Sequence, residues 1–184
     1  MKKKSFPLSE VYRLLEPGPV VLLATVRAGR PNVMPMSWHL MMEFTPPLVG
    51  CVVGNGNYSF ASLKQSRECV INIPAVELVK TVVACGNTSG GNVDKFKKFR
   101  LTPVAAKLVK APLIQECYAS LECKVVDATL VTKYNFFILE VVRAWIDPTQ
   151  KRPRTIHHQG EGEFMLPGRI IRLRSPKTAL GGKL

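Results

Sequence analysis

Apolar positions along this chain fall in short runs, separated by glycine, proline and asparagine. Runs of that length with β-branched residues predict strands rather than helices. The longest, Val20-Val21-Leu22-Leu23-Ala24-Thr25-Val26, predicts a first strand from Pro19 to Val26. Arg27-Ala28-Gly29-Arg30 supplies a hairpin turn. A second strand is expected from Pro31 to Met41. Pro31 and Pro35 cannot donate ladder hydrogen bonds, so this strand belongs at an edge or a bulge. Pro46-Pro47 opens a third strand, Leu48 to Val53. Cys69 to Ile73 alternates as a strand. Pro112 to Ala128 and Asn135 to Ile146 are the longest later strand signals, and Gly168 to Leu173 a last short one.

Helical spacing is rarer. Ser9 can cap a helix from Glu10 to Leu15, stopped by Pro17-Gly18-Pro19. Gly54-Asn55-Gly56-Asn57 is a turn-forming loop. A helix is expected after it, Tyr58 to Ser66, capped by Asn57 or Ser59. Pro74 suits a helix start, Val76, Val79 and Val83 follow at helical spacing, and Gly86 stops the pattern. Asn87 to Asn92 is a second polar loop, and Asp94 to Phe99 one helical turn. Arg152 to Gly162 is a polar excursion carrying two histidines. Many short strands with few helices predict a mainly β fold, an antiparallel barrel rather than a doubly wound sheet. Neither a dinucleotide GxGxxG before a helix nor a GxxxxGK[ST] loop occurs. With no repeat or linker, the chain is read as one domain over residues 1–184, its core over about 17–173.

Composition narrows the classes. The 184 residues suffice for a sizeable core, and 46% apolar content excludes a disordered chain. No apolar run approaches the roughly 20 residues of a membrane span. Met1-Lys2-Lys3-Lys4 has the charge of a signal-peptide start, but Phe6 to Glu10 lacks the apolar segment that should follow. The expectation is a cytoplasmic protein without a membrane partner. Five cysteines, an odd number with no CxxC spacing, point to buried reduced thiols. The net charge of +13 is dispersed. It leaves open a solvated surface, steering of a phosphorylated dinucleotide, or nucleic-acid binding. His157 and His158 are adjacent and would point to opposite faces of a strand, so no metal site is expected. No hydrolase arrangement of Ser/His/Asp or Cys/His is recognisable, and no catalytic acid or base is assigned.

Four stretches carry a family resemblance. They are Asn32 to Trp38 followed by Pro46 to Val49; Asn57 to Phe60 before Cys69 to Ile73; Cys85 to Gly91 leading into Asp94-Lys95-Phe96; and Ala111 to Cys117 before Leu121 to Cys123. In their order and spacing the chain resembles the flavin reductase-like family, and within it the flavoredoxin-like branch. The resemblance implies an FMN-binding split barrel, an antiparallel Greek key that forms a homodimer with FMN near the subunit interface. It implies a flavin reductase-type oxidoreductase. NAD(P)H or a redox protein would reduce the FMN, and flavin, ferric complexes, oxygen or a protein would accept the electrons. The alternative is an FMN-containing electron carrier without its own nicotinamide site. Many relatives carry a histidine before the late strand, where this chain reads Lys133-Tyr134-Asn135. A third reading, a basic barrel that binds nucleic acid, has only the charge to support it, and no nucleic-acid partner is expected.

The resemblance directs the site residues. An FMN phosphate needs convergent donors, which Asn55, Asn57, Tyr58 and Ser59 can offer at a helix start. Taken alone, this loop is equally a plain turn and cap. The flavin ring would run beside Met36, Ser37 and Trp38, which are otherwise a core aromatic and strand residues. Thr88, Ser89 and Gly90 would return to the ribityl or phosphate end, or simply close a helix. Lys95 either adds charge to the phosphate or is a surface lysine, while Phe96 packs in the core. His157 or His158 would approach the flavin from the C-terminal segment.

Overall fold

A computed structural model describes residues 18–173 of the chain. The expected helix from Glu10 to Leu15 lies outside them. Seven strands form one antiparallel sheet: β1 (Val21–Arg27), β2 (Arg30–Met36), β3 (His39–Phe44), β4 (Pro47–Val52), β5 (Glu68–Ile73), β8 (Ala119–Asp127) and β9 (Phe136–Ile146). Their order is β2-β1-β5-β8-β9-β4-β3. Two small sheets accompany it, β6 (Pro103–Val104) with β7 (Leu113–Ile114), and β10 (His157–Gly160) with β11 (Glu163–Met165). The helices are α1 (Tyr58–Ser66), α2 (Val79–Gly86), α3 (Lys95–Phe99) and α4 (Val131–Tyr134), with a 3₁₀ turn Val76–Leu78 before α2.

The strand order explains the split barrel. β2 and β3 are opposite edges of the sheet, yet only Ser37 and Trp38 separate them in sequence. The sheet must therefore curl until its edges meet at those two residues. There the Val52 N–H donates to the Trp38 carbonyl at 3.0 Å. The expected strand from Pro31 to Met41 is thus two strands. β2 takes its edge position because Pro31 and Pro35 have no N–H to offer a further neighbour. The turn into it has positive φ at both Ala28 (48°) and Gly29 (75°), the tight hairpin geometry that the sequence signals.

β1 is covered on both faces, which is why its sequence is continuously apolar. Val21 and Leu23 join the barrel interior with Val49, Cys51, Cys69 and Phe137. Val20 and Leu22 face a second layer with Val82, Cys85, Phe96 and Ile156. That layer holds α2 and α3 against β2. All five cysteines are buried and free, as expected. Burial pushes the Cys51 thiol up to about 12.

Further expectations need correction: the strand expected from Pro112 to Ala128 is two, β7 and β8, with a turn over 115–118 between them. Gly168 to Leu173 is exposed and belongs to no strand, because no strand among the described residues pairs with it. The polar excursion Arg152 to Gly162 instead contains most of the β10–β11 hairpin. Positive φ at Gly160, Glu161 and Gly162 turns it. No helix among the described residues is long and apolar enough to cross a membrane.

Candidate functional site

β2 presents its outward side chains to the starts and ends of three helices, and two cavities open there. The first, about 330 Å³, lies between β2, the start of α1 and the loop after α2. The second, about 380 Å³, lies between the end of β2, α2 and the β10–β11 hairpin. Both are lined by Pro35, Gly86 and Asn87, so they are two ends of one groove.

The first cavity is built of hydrogen-bond donors. Asn57, Tyr58, Ser59, Thr88, Ser89, Gly90 and Lys95 all line it, bringing together three segments far apart in sequence. Asn57 occupies the cap position of α1, yet its side chain turns back and donates to the Gly54 carbonyl at 3.1 Å. No side chain caps the helix, and no acidic residue stands in its first turn. The first N–H groups of a helix lack intrahelical acceptors, and their dipole favours an anion. Ser59 is buried at its second position, where its Oγ accepts from Asn32 Nδ2 at 2.8 Å.

Lys95 settles one open reading, because it is no surface lysine. It is 4% exposed, and its Nζ donates to the carbonyls of Val33 at 2.9 Å and Cys85 at 2.8 Å. An ammonium has three protons, so one remains for the cavity. Burial lowers the Lys95 pKa from its ordinary value. The Cys85 thiol beside it is pushed up to about 11 by burial, against the pull of Lys95, so it is neutral near pH 7.

One buried atom in this cavity lacks a partner. Asn32 is 4% exposed, and its Oδ1 makes no hydrogen bond. A Cβ built on Gly90 would overlap that same oxygen, so only glycine lets the loop approach so closely. The orphaned Oδ1 is covered by Gly90, while the third Lys95 proton is left for the cavity. Amide N and O are interchangeable by rotation, so Asn32 can present either a donor or an acceptor.

The second cavity is less polar. Met36 and Ser37 line it from β2, with Val82 and Val83 from α2. The hairpin contributes His158, Gly162 and Phe164. The His158 and Phe164 rings pack at 5.2 Å between centroids.

Three expected residues are placed elsewhere. Asn55 is exposed and lines neither cavity, whereas Gly56 and Asn57 line the first. Trp38 is 56% exposed and lines neither. His157 is bonded to Thr155 through Nε2 and Oγ1 at 2.8 Å, and strand alternation turns His158 into the groove instead. Sequence reasoning passed over Asn32, Pro35, Gly86 and Asn87. Asn32 did carry a signal, since asparagine is depleted in strands and this one sits among apolar neighbours.

This fold is that of a recognised family. The model of the flavin reductase like domain matches residues 13–163, and the chain belongs to that family. An uncharacterized protein of Archaeoglobus fulgidus is 37% identical over 113 residues, 61% of this chain and 64% of that protein. The chain thus spans just under two thirds of that relative's length. The Escherichia coli protein YddH is 30% identical over 178 residues, 89% of this chain and 94% of that protein. Among solved structures, flavoredoxin of Desulfovibrio vulgaris (Miyazaki F) superposes with a TM-score of 0.83 at 25% identity, covering 97% of this chain and 99% of that one. An FMN-binding domain of a flavin reductase-like enzyme from Shewanella baltica gives 0.79 at 26% identity, covering 93% and 97%.

Proposed function

We propose that the groove along β2 holds FMN and that the protein is an oxidoreductase of flavin reductase type. The observation that carries this reading is the polar cavity itself. It combines an uncapped helix start, the Ser59 hydroxyl and the third Lys95 ammonium proton. That donor set fits a phosphate dianion, and the glycine loop gives it room. The second cavity continues the groove for a flat ring, with Met36, Val82 and Phe164 against its faces and Ser37 at an edge. The kinship to FMN-binding proteins supports the same assignment.

When bound, FMN supplies the two-electron hydride chemistry, and the protein supplies orientation and electrostatics. Lys95 and the start of α1 hold the anionic end. The two carbonyls on Lys95 keep its charge fixed between β2 and α2. The β10–β11 hairpin shields one side of the second cavity from water. NAD(P)H or a redox protein is the electron donor in this reading, and free flavin, ferric complexes or a protein the acceptor.

The second reading is an FMN electron carrier with no nicotinamide site of its own. It is favoured by Lys133-Tyr134-Asn135, which departs from the histidine that the family resemblance leads one to expect before the late strand. Homodimerisation is part of the proposal. β3 is an edge strand whose Leu40, Met41, Met42 and Phe44 are all exposed, a surface suited to a second copy.

The test is anaerobic. Bleaching of the FMN-loaded protein by NADH or NADPH selects the reductase. A flavin that resists both nicotinamides but bleaches with a reduced redox protein selects the carrier. Folded protein that binds no FMN contradicts both.

A further inference from the structure

The arginines of this chain are not evenly spread. Five of its eleven lie between residues 152 and 174. Among the described residues, Arg152, Arg154, Arg169 and Arg172 line one open cleft of about 840 Å³, together with Ile170 and Leu173. Among the described residues no acidic residue lines it, and Glu77 and Glu116 lie in an adjoining cleft that Arg152 and Arg154 also line. Ile170 is 71% exposed and Leu173 82%, so apolar and guanidinium groups face solvent side by side. A surface meant only for solubility needs neither arginine in place of lysine nor exposed isoleucine. An interface uses both, because arginine pairs with carboxylates in bidentate fashion and is weakly hydrated.

One wall of the cleft is fixed. The Arg154 carbonyl accepts from Val76 N–H at 2.8 Å, and the Ile156 carbonyl from Val20 N–H at 2.7 Å. Ile156 itself is fully buried. The arginines of this wall are therefore presented by rigid backbone. The same chain segment then enters β10, whose His158 lines the ring end of the groove. Arg154 and His158 are four residues apart, which bounds their separation at roughly 14 Å.

We propose that this cleft docks the acidic face of an electron-carrier protein beside the flavin. The proposal rests on the FMN reading, since an electron carrier has no purpose at a protein without a redox centre. Each docking would bring the carrier within one short strand of the groove. Reduction of one FMN takes two electrons and a proton from solvent, so a one-electron carrier docks twice per cycle. Charge complementarity favours a protein partner over nucleic acid, because no aromatic residue lines the cleft to stack on bases.

The test uses an acidic plant-type ferredoxin as probe and calorimetric binding at low ionic strength as readout. Arg152→Glu with Arg154→Glu should weaken the complex at least about tenfold. Arg169→Glu with Arg172→Glu should do the same from the other wall, which guards against misfolding of one variant. The control pair Lys64→Glu with Lys124→Glu carries the same charge change elsewhere and should leave binding within about threefold. Equal losses in all three pairs, absence of a ferredoxin complex, or displacement of ferredoxin by a short single-stranded oligonucleotide would each overturn the docking assignment. FMN uptake titrated in parallel is read separately: its failure removes the flavin reading, while the ferredoxin arm alone removes the docking site.

Discussion

In the proposed FMN site Ser59 and Lys95 would hold the phosphate by different means, and each makes its own prediction. Ser59 offers a buried hydroxyl at a helix start. Ser59→Asp places like charge against a phosphate, and FMN affinity should fall at least tenfold, about 1.4 kcal/mol, in a fluorescence titration. Lys95 offers a charge that burial disfavours, although Cys85 beside it pulls the other way. Its folded pKa is lowered, so between that value and the unfolded one the unfolded chain binds more protons. Stability without FMN therefore rises with pH through that alkaline window. FMN affinity should move oppositely, falling as Lys95 loses its proton, and Lys95→Met should abolish that pH slope. Gly90→Ala should push the Asn32 amide off Ser59 and weaken FMN binding without unfolding the chain. That Asn57, Ser59, Thr88 and Ser89 line one cavity was expected from the family resemblance, since each loop taken alone reads as a turn or a helix end. Asn32 carried only the signal of a polar residue in a strand, because its surroundings depend on which loop packs against it.

At the scale of elements, local signals were reliable where local physics decides. The β1–β2 turn, the edge position of β2 and the bounds of α1 follow from residues within a few positions. The break at Ser37-Trp38 does not, since the apolar pattern runs on through it while the backbone crosses from one sheet edge to the other. The β10–β11 hairpin was hidden because its residues are polar and its turn rests on positive φ at Glu161, an unusual residue there. Between β6 and β7, the chain is held by two carboxylates, Glu68 on the Lys110 N–H at 2.8 Å and Glu122. Buried Glu122 accepts from the N–H groups of Lys107 and Leu108 and from Trp145 Nε1 at 2.8 Å. Burial opposes its ionisation, but these donors outweigh it and hold the carboxyl below its usual range. The stability it contributes is present above the unfolded carboxylate value, about pH 4.3, and is lost as pH falls through the folded value. Glu122→Gln should cost about 1–3 kcal/mol at pH 7 in denaturant unfolding and flatten the acid limb of the pH profile.

The described residues form an antiparallel split barrel with a groove along β2 and an exposed edge strand, β3. Its mainly β class could be read from the runs alone, but the meeting of three distant loops could not, because it arises only when α2 and α3 pack on β2. The exposed β3 edge suits a second copy. Wild-type protein should sediment as a dimer at micromolar concentration, and Leu40→Lys with Phe44→Lys should shift it toward monomer. Beneath all of this lies the claim that the donor-lined cavity is a phosphate site. Calorimetric titration of the protein with FMN and with riboflavin, which lacks the phosphate, tests it most directly. The account predicts one FMN per chain and riboflavin weaker by at least about tenfold. Equal affinities, or no uptake of FMN by folded protein, would contradict it.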